Sequence, residues 1–187
     1  MARALLLALA AGGLLLAAGC AGEGGKVNAP TPAKAIEVER FYSGRWYEIA
    51  RTPLRVTDGC VAGTTDFTRG PGGQLVERDV CREGSPEGKE KVFEGPVTIL
   101  DPGTNARIQV RYTVFGVVPV TKTYWMLDRG DDYQWFITGD PPLENVAILT
   151  RSPHPSRAEI DALTNRVRQF GYDPAKLEFP TLFPPRH

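Results

Sequence analysis

Cysteine and histidine can act as nucleophiles, general bases and metal ligands, and this sequence has three cysteines and two histidines. The histidines, His154 and His187, lie in proline-rich surroundings, and no group of His, Cys, Asp and Glu has the spacing of a metal site. The sequence also lacks a Gly-x-Ser-x-Gly motif and a credible histidine-based triad. We therefore expect no catalytic residue, no metal and no cofactor.

Two of the cysteines, Cys60 and Cys81, lie in strand-like segments at Cys60–Thr68 and Gln74–Arg82. The glycine- and proline-rich stretch between these segments is a strong turn signal. If the hairpin folds about Gly70-Pro71, Cys60 lies opposite Cys81, where Cβ atoms come close enough for a disulfide. We expect this disulfide, which would leave no reactive thiol in the folded domain. Two free thiols are the alternative.

The third cysteine, Cys20, follows a block with the composition of a secretory signal. Arg3 supplies a positive charge, and Ala4–Ala18 is an apolar run too short to span a bilayer comfortably. A buried or spanning N-terminal helix is the alternative, which the glycines weaken. Leu16-Ala17-Ala18-Gly19-Cys20 resembles the lipobox of bacterial lipoproteins, in which the cysteine is lipidated. We expect residues 1–19 to be a signal peptide and residues 20–35 a lipidated flexible tether.

The remaining residues, 36–183, have the length of one ordinary domain. Lys and Arg number 22, as do Asp and Glu, so the formal net charge is zero and nothing indicates a nucleic-acid partner. Eight short strand-like runs separated by turns favour an all-β sandwich or barrel. The predicted strands are Arg45–Arg51, Cys60–Thr68, Gln74–Arg82, Val92–Leu100, Ala106–Val114, Lys122–Asp128, Tyr133–Thr138 and Val146–Thr150.

One amphipathic helix is predicted after the strands. Ser156 and Glu159 form a capping-box pattern, and Gly171 is a natural terminator. The helix must lay its apolar stripe on another surface, and the outside of a barrel offers one. Residues 176–179 are a candidate for a final short strand. The stripe consists of Ile160, Leu163, Val167 and Phe170.

Three segments, Gly44–Arg51, Leu127–Tyr133 and Ile148–Pro153, resemble in order and spacing the motifs of the lipocalin family. The resemblance covers about residues 36–180 and is greatest to the bacterial outer-membrane lipoprotein lipocalins, which are similar to animal apolipoprotein D. It implies an all-β fold: an eight-stranded antiparallel up-and-down barrel with one C-terminal α-helix packed outside.

The same resemblance implies roles for individual residues. Gly44 and Trp46 begin the first motif, and Trp46 would close the barrel floor while Arg151 packs across its ring in a cation–π contact. The family often has a large aromatic residue near the start of the last strand. This chain has Val146-Ala147 there, which would widen the wall locally.

An eight-stranded barrel has room for one small ligand, and the resemblance implies a carrier of a small apolar or amphipathic molecule such as a fatty acid or lysophospholipid. Because side chains alternate along a strand, an inward Trp46 places Glu48 inward as well. Glu48 would bind a headgroup amine or a water network, or it would be a solvated carboxylate at the barrel mouth. Trp135 and Phe136 must point to opposite faces, so at least one of them does not line the cavity. Besides Glu48, the candidate ligand-binding residues are Val97, Ile99, Ile108, Val110, Tyr112, Tyr124, Met126, Trp135 and Phe136.

We expect an exported monomer or weak homodimer, held in the cell envelope by lipid on Cys20 and, in a Gram-negative host, facing the periplasm from the outer membrane. One alternative is an envelope-maintenance or interaction lipoprotein that acts through its surface, which an empty or collapsed barrel would favour. A lipocalin-fold enzyme is a further alternative, which a turnover assay after delipidation would reveal.

Overall fold

The predicted strands form a closed barrel. The computed structural model describes residues 28–114 and 117–180, with the backbone alone at Val114. The strands are β1 (Gly44–Arg51), β2 (Cys60–Arg69), β3 (Leu75–Glu83), β4 (Glu90–Ile99), β5 (Arg107–Val114), β6 (Val118–Arg129), β7 (Trp135–Gly139) and β8 (Val146–Thr150). Each strand pairs antiparallel with the next, and β8 pairs with β1. The eight-stranded antiparallel barrel expected from the sequence is confirmed.

Most strand boundaries differ from the predicted ones by one or two residues, and the difference is largest at the start of β6. β6 begins at Val118 rather than Lys122, and Tyr133 lies in the turn before β7 with a positive φ of 58°. The candidate strand at residues 176–179 is reduced to a single antiparallel bridge between Glu178 and Arg51, which follows a 3₁₀ turn at Pro174–Lys176.

The β2–β3 hairpin carries the disulfide but not in the predicted register. The hairpin turns about Gly72, where φ is 79°, rather than about Gly70-Pro71. Gly63 therefore lies opposite Cys81, and a register shift occurs between Cys60 and Ala62. Cys60 and Cys81 are nevertheless bonded, with their Cα atoms 5.6 Å apart.

The segment before β1 runs along the outside of the barrel from one end to the other. The Ala29 N–H donates to the Pro141 carbonyl at 2.9 Å, and the Ile36 N–H donates to the Thr104 carbonyl at 2.8 Å. Both residues are buried. Residues 28–35 therefore pack against the barrel, and the predicted tether does not extend to residue 35. Cys20, the predicted signal peptide and the rest of the tether lie outside the described residues.

One end of the barrel is closed by aromatic side chains. A short helix, α1 (Val38–Phe41), leads into β1, and Trp46 is fully buried with its ring centroid 5.3 Å from that of Phe41 and 4.7 Å from that of Phe136. The Arg151 guanidinium lies 3.5 Å from the Trp46 ring centroid and donates to the backbone carbonyls of Ser43 and Arg45. This is the arrangement that the resemblance implies. We call this end the closed end.

A second helix, α2 (Arg157–Gln169), packs on the outside of the barrel. The Ser156 Oγ accepts from the Glu159 N–H, and the Glu159 carboxylate accepts from the Ser156 N–H, as the capping box predicts. Leu163 and Val167 are buried in a cluster that includes residues of β7 and β8. Within the described residues, no helix has the length and apolarity needed to cross a membrane.

Candidate ligand-binding cavity

The barrel is open at the end opposite Trp46, and a cavity of about 430 Å³ extends inward from that opening. Cavities of roughly 300–1,000 Å³ are typical of small-molecule sites. Leu54 and Val56, in the β1–β2 loop, line its mouth, and Val146 and Ala147 form part of the wall. The other apolar lining residues include Phe67, Phe93, Val120, Met126, Phe136 and Leu149.

Half of the predicted ligand-binding residues line this cavity. Because Phe136 points inward, alternation along β7 turns Trp135 outward, as the sequence pattern allowed for one of the two. The predicted residues on the cavity wall are Glu48, Tyr112, Tyr124, Met126 and Phe136.

The other predicted residues are not on the cavity wall, so their assignment to it is wrong. Ile108 and Val110 are fully buried in the apolar cluster towards the closed end, and Val97 and Ile99 pack against the same cluster. These four side chains are packing residues of the barrel core, because neighbouring side chains of the cluster fill the space beside them and leave no cavity there. Trp135 lies outside, with the Arg166 guanidinium 5.0 Å from its ring centroid.

Two acidic side chains that the sequence analysis missed lie inside the cavity. Glu77 and Asp79 both line it from β3, and Glu77 is only 4% exposed. The Thr65 hydroxyl donates to Asp79 Oδ1 at 2.6 Å. The Tyr112 hydroxyl lies 2.8 Å from Asp79 Oδ2 and 2.5 Å from Glu77 Oε1, and Tyr124 lies 3.3 Å from Tyr112, hydroxyl to hydroxyl.

The geometry of this acidic pair favours an extra proton. The Tyr112 hydroxyl carries one hydrogen, so its two carboxyl contacts either share that hydrogen or include a second one supplied by a carboxyl group. Burial and the neighbouring Asp79 charge raise the pKa of Glu77 well above its usual value. Burial also raises the pKa of Asp79, against the hydrogen bonds from Thr65 and Tyr112, which lower it. Both pKa values are therefore raised, that of Glu77 the more strongly, and the pair binds a proton more readily than two separate carboxyl groups would.

Glu48 points inward as predicted and is held by an ion pair. Its carboxylate contacts the Arg51 guanidinium, which also donates to Glu178 Oε1 at 2.6 Å and to the Cys60 carbonyl at 3.1 Å. Burial raises the pKa of Glu48, while the charge and hydrogen bond of Arg51 lower it. Gly63 on β2 leaves room for the carboxylate, because a Cβ there would lie 2.5 Å from Glu48 Oε1.

One signal in the sequence could have revealed the acidic pair. Cys81, Asp79 and Glu77 alternate along β3 and so share one face of the strand. Once Cys81 is assigned to the interior, the two carboxyl groups follow it there. Within the described segments, no group of three or more His, Cys, Asp or Glu could hold a metal ion.

Comparison with known proteins gives a consistent result. Residues 36–181 match the family model of the Lipocalin-like domain. The chain is 33% identical over 149 residues to temperature-induced lipocalin-1 of Arabidopsis thaliana, covering 77% of this chain and 78% of that protein. It is 27% identical over 138 residues to outer membrane lipoprotein Blc of Vibrio cholerae, covering 73% and 77%. Among solved structures, insecticyanin from the tobacco hornworm Manduca sexta has a TM-score of 0.63 at 18% identity, covering 81% and 84%, which shows a shared fold.

Proposed function

The chain belongs to the lipocalin-like family, and from this premise we propose that its cavity binds, stores or transports a single-chain amphiphile in the cell envelope. The observation that carries the proposal is the open cavity of about 430 Å³, because the core at the closed end leaves this space unfilled. Transfer of an acyl chain from water into such a space contributes roughly 0.8 kcal/mol for each buried CH₂ group.

The polar groups of the cavity favour one class of amphiphile. Glu77 and Asp79 lie deep in the cavity, and in the described parts of the chain no Lys or Arg forms an ion pair with either of them. A ligand ammonium group would be attracted by the negative charge of this pair, whereas a ligand carboxylate would be repelled by it. Lys122 lines the cavity from an exposed position on β6, where it can face a phosphate. We therefore favour a lysophospholipid with an ammonium headgroup over a free fatty acid.

Membrane attachment is the second part of the proposal. The sequence before residue 28 supports it through the lipobox-like residues that end at Cys20, and the similar protein of Vibrio cholerae is an outer membrane lipoprotein. In a Gram-negative host we place the protein on the outer membrane, facing the periplasm. Cys20→Ser should leave the chain unprocessed or move the folded domain to the soluble fraction, and a normally cleaved, membrane-bound variant would refute the anchor.

The headgroup assignment is tested with a panel of matched chain length. Full-length protein in detergent, stripped of endogenous lipid, is titrated with a lysophosphatidylcholine, a free fatty acid and an alkyltrimethylammonium, and binding is measured by displacement of a fluorescent apolar probe. Asp79→Asn should weaken binding of the two ammonium ligands and strengthen binding of the fatty acid. Glu87→Gln, in the exposed β3–β4 loop, is the matched control and should change none of the three.

The outcomes distinguish the headgroup assignment from the broader proposal that the protein carries a lipid. Tightest binding of the fatty acid, unaffected by Asp79→Asn, would overturn the headgroup assignment and leave a lipid carrier. Failure of all three ligands to displace the probe would count against the carrier itself and favour a protein that acts through its surface.

A further inference from the structure

The open end of the barrel carries most of the exposed apolar side chains. Seven large apolar residues of the described chain are exposed, and five of them lie at this end. Leu54 and Val56 lie in the β1–β2 loop and Phe179 follows the bridge between Arg51 and Glu178. Across the mouth, the remaining two lie in the β5–β6 hairpin. We call these five residues the apolar rim: Leu54, Val56, Val117, Val118 and Phe179.

The N-terminal segment enters the described structure at the same end. Ala29 is held by the Pro141 carbonyl in the β7–β8 loop. That loop lies beside the β1–β2 loop, because the Thr52 N–H donates to the Val146 carbonyl at 2.8 Å. Asn28 therefore lies on the side of the mouth that carries Leu54, and the chain reaches the closed end only at Ile36.

The length of the preceding segment limits how far a lipid on Cys20 can lie from this mouth. Eight peptide units separate Cys20 from Asn28. A ten-residue strand such as β2, tilted by about 40°, rises roughly 25 Å along the barrel. If the bilayer lay at the closed end, the segment from Cys20 to Asn28 would have to be close to its full extension, about 28 Å. If the bilayer lies at the open end, this segment need not be extended.

We propose that the apolar rim docks on the surface of a lipid bilayer, with the mouth of the cavity facing the membrane. This inference rests on the lipid anchor of the proposed function, which would hold the barrel close to the bilayer. The residues of the apolar rim would then contact the bilayer surface. Arg55, exposed between Leu54 and Val56, places a cation where anionic lipid headgroups would lie. In this orientation an acyl chain passes between bilayer and cavity without crossing bulk water.

Two leucines provide a matched test of this orientation. Leu54 is 40% exposed at the open end, and Leu100 is 44% exposed in the β4–β5 turn at the closed end. Leu54→Trp and Leu100→Trp are prepared in the full-length protein and reconstituted into vesicles that contain lipids brominated in the acyl chain. Fluorescence of the added tryptophan is measured relative to the unmodified protein, which contains three tryptophans. Val117→Trp serves as a second reporter on the opposite side of the mouth.

The proposal predicts quenching and a blue shift for Leu54→Trp and Val117→Trp, and no change for Leu100→Trp. Equal quenching at both ends, stronger quenching at residue 100, or no quenching at any position would overturn it. A blue shift at residue 54 without quenching would show that a second copy of the chain covers the rim, and would also overturn it. The mass of the extracted protein reports lipid on Cys20 separately, so loss of the anchor and loss of the docking are distinguishable.

Discussion

Tyr112 on β5 reaches Glu77 on β3, with its hydroxyl 2.5 Å from Glu77 Oε1. The strand between them, β4, has Gly95 opposite Glu77. The backbones are so close at this point that a Cβ on Gly95 would lie 2.1 Å from the Arg111 carbonyl oxygen. A side chain at position 95 is therefore excluded, and the phenol of Tyr112 and the acidic pair occupy this part of the interior.

The acidic pair makes stability depend on pH. Because the pKa of Glu77 is raised in the folded protein, the folded state keeps a proton that the unfolded state loses above about pH 4.3. The free energy of unfolding should therefore fall as pH rises from that value towards the folded pKa, by at most about 1.4 kcal/mol per pH unit for one group. Glu77→Gln should reduce this fall. Asp79, whose pKa is also raised, should account for part of the pH dependence that persists in the variant. Urea denaturation from pH 4 to pH 8 measures how steeply the free energy of unfolding falls with pH in the unmodified protein and in Glu77→Gln.

Glu87→Gln removes an exposed carboxylate from the β3–β4 loop and is the control for this experiment. Its stability profile should run parallel to that of the unmodified protein. Parallel profiles for all three proteins would show that Glu77 is not a proton-holding group.

The contact between Trp46 and Arg151 should contribute to stability in a way that lysine, which keeps the positive charge, does not replace. Arg151 donates to the carbonyls of Ser43, Arg45 and Phe41 while its plane covers the indole. Lysine cannot make this set of contacts, so Arg151→Lys should cost about 2–3 kcal/mol in the free energy of unfolding. Arg157→Lys, at an arginine whose side chain is 87% exposed, should cost almost nothing in the same denaturation series. Equal stability of the two variants would contradict a role for Arg151 at the closed end.

The disulfide should be a main contributor to stability. Cys60 and Cys81 are separated by 21 positions, and closing a loop of this size contributes about 3 kcal/mol by the loop-entropy estimate. Thiol labelling of the unreduced, unfolded protein should find neither cysteine reactive. The double variant Cys60→Ser, Cys81→Ser should unfold at lower urea with unchanged ligand specificity. Full labelling at both sites in exported protein would rule out the bridge.

The small residues at the start of β8 should set the volume available to a ligand. Ala147 lies on the cavity wall, so Ala147→Phe should place a ring where ligand would otherwise lie. Displacing about two CH₂ groups of an acyl chain would weaken binding roughly tenfold. Ala158→Phe, on the exposed face of α2, is the control in the same probe-displacement assay. Unchanged affinity in a correctly folded Ala147→Phe variant would mean that the ligand does not occupy this wall.

The fold was predictable because its signals are local. Alternation, turn residues and the Ser156 capping box specify strands and helix, and the motif around Trp46 and Arg151 implies how the barrel closes. The register of the disulfide hairpin was not predictable from the turn composition, because Gly70, Gly72 and Gly73 offer several centres and only the structure shows which one is used. The short helix α1 has only four residues, too few to show a helical period.

The cavity was predictable only in part. Alternation tells which face of a strand points inward, and it placed Ile108, Val110 and Tyr112 correctly on one face. It does not tell how far along the barrel the core is filled, so Ile108 and Val110 proved to be packing residues while Tyr112 reaches the cavity. It also assumes an apolar interior, and for that reason Glu77 and Asp79 were overlooked.

Native mass spectrometry of full-length protein, extracted from membranes in mild detergent, shows whether the barrel carries a lipid. The native mass should exceed the denatured mass by one non-covalent ligand per chain, while any lipid on Cys20 remains in both. This ligand should be a single-chain amphiphile with an ammonium headgroup, and Ala147→Phe should reduce its occupancy. A native mass equal to the denatured mass, unchanged after incubation with a total lipid extract of the host membrane, would contradict the proposal that this barrel is a lipid carrier.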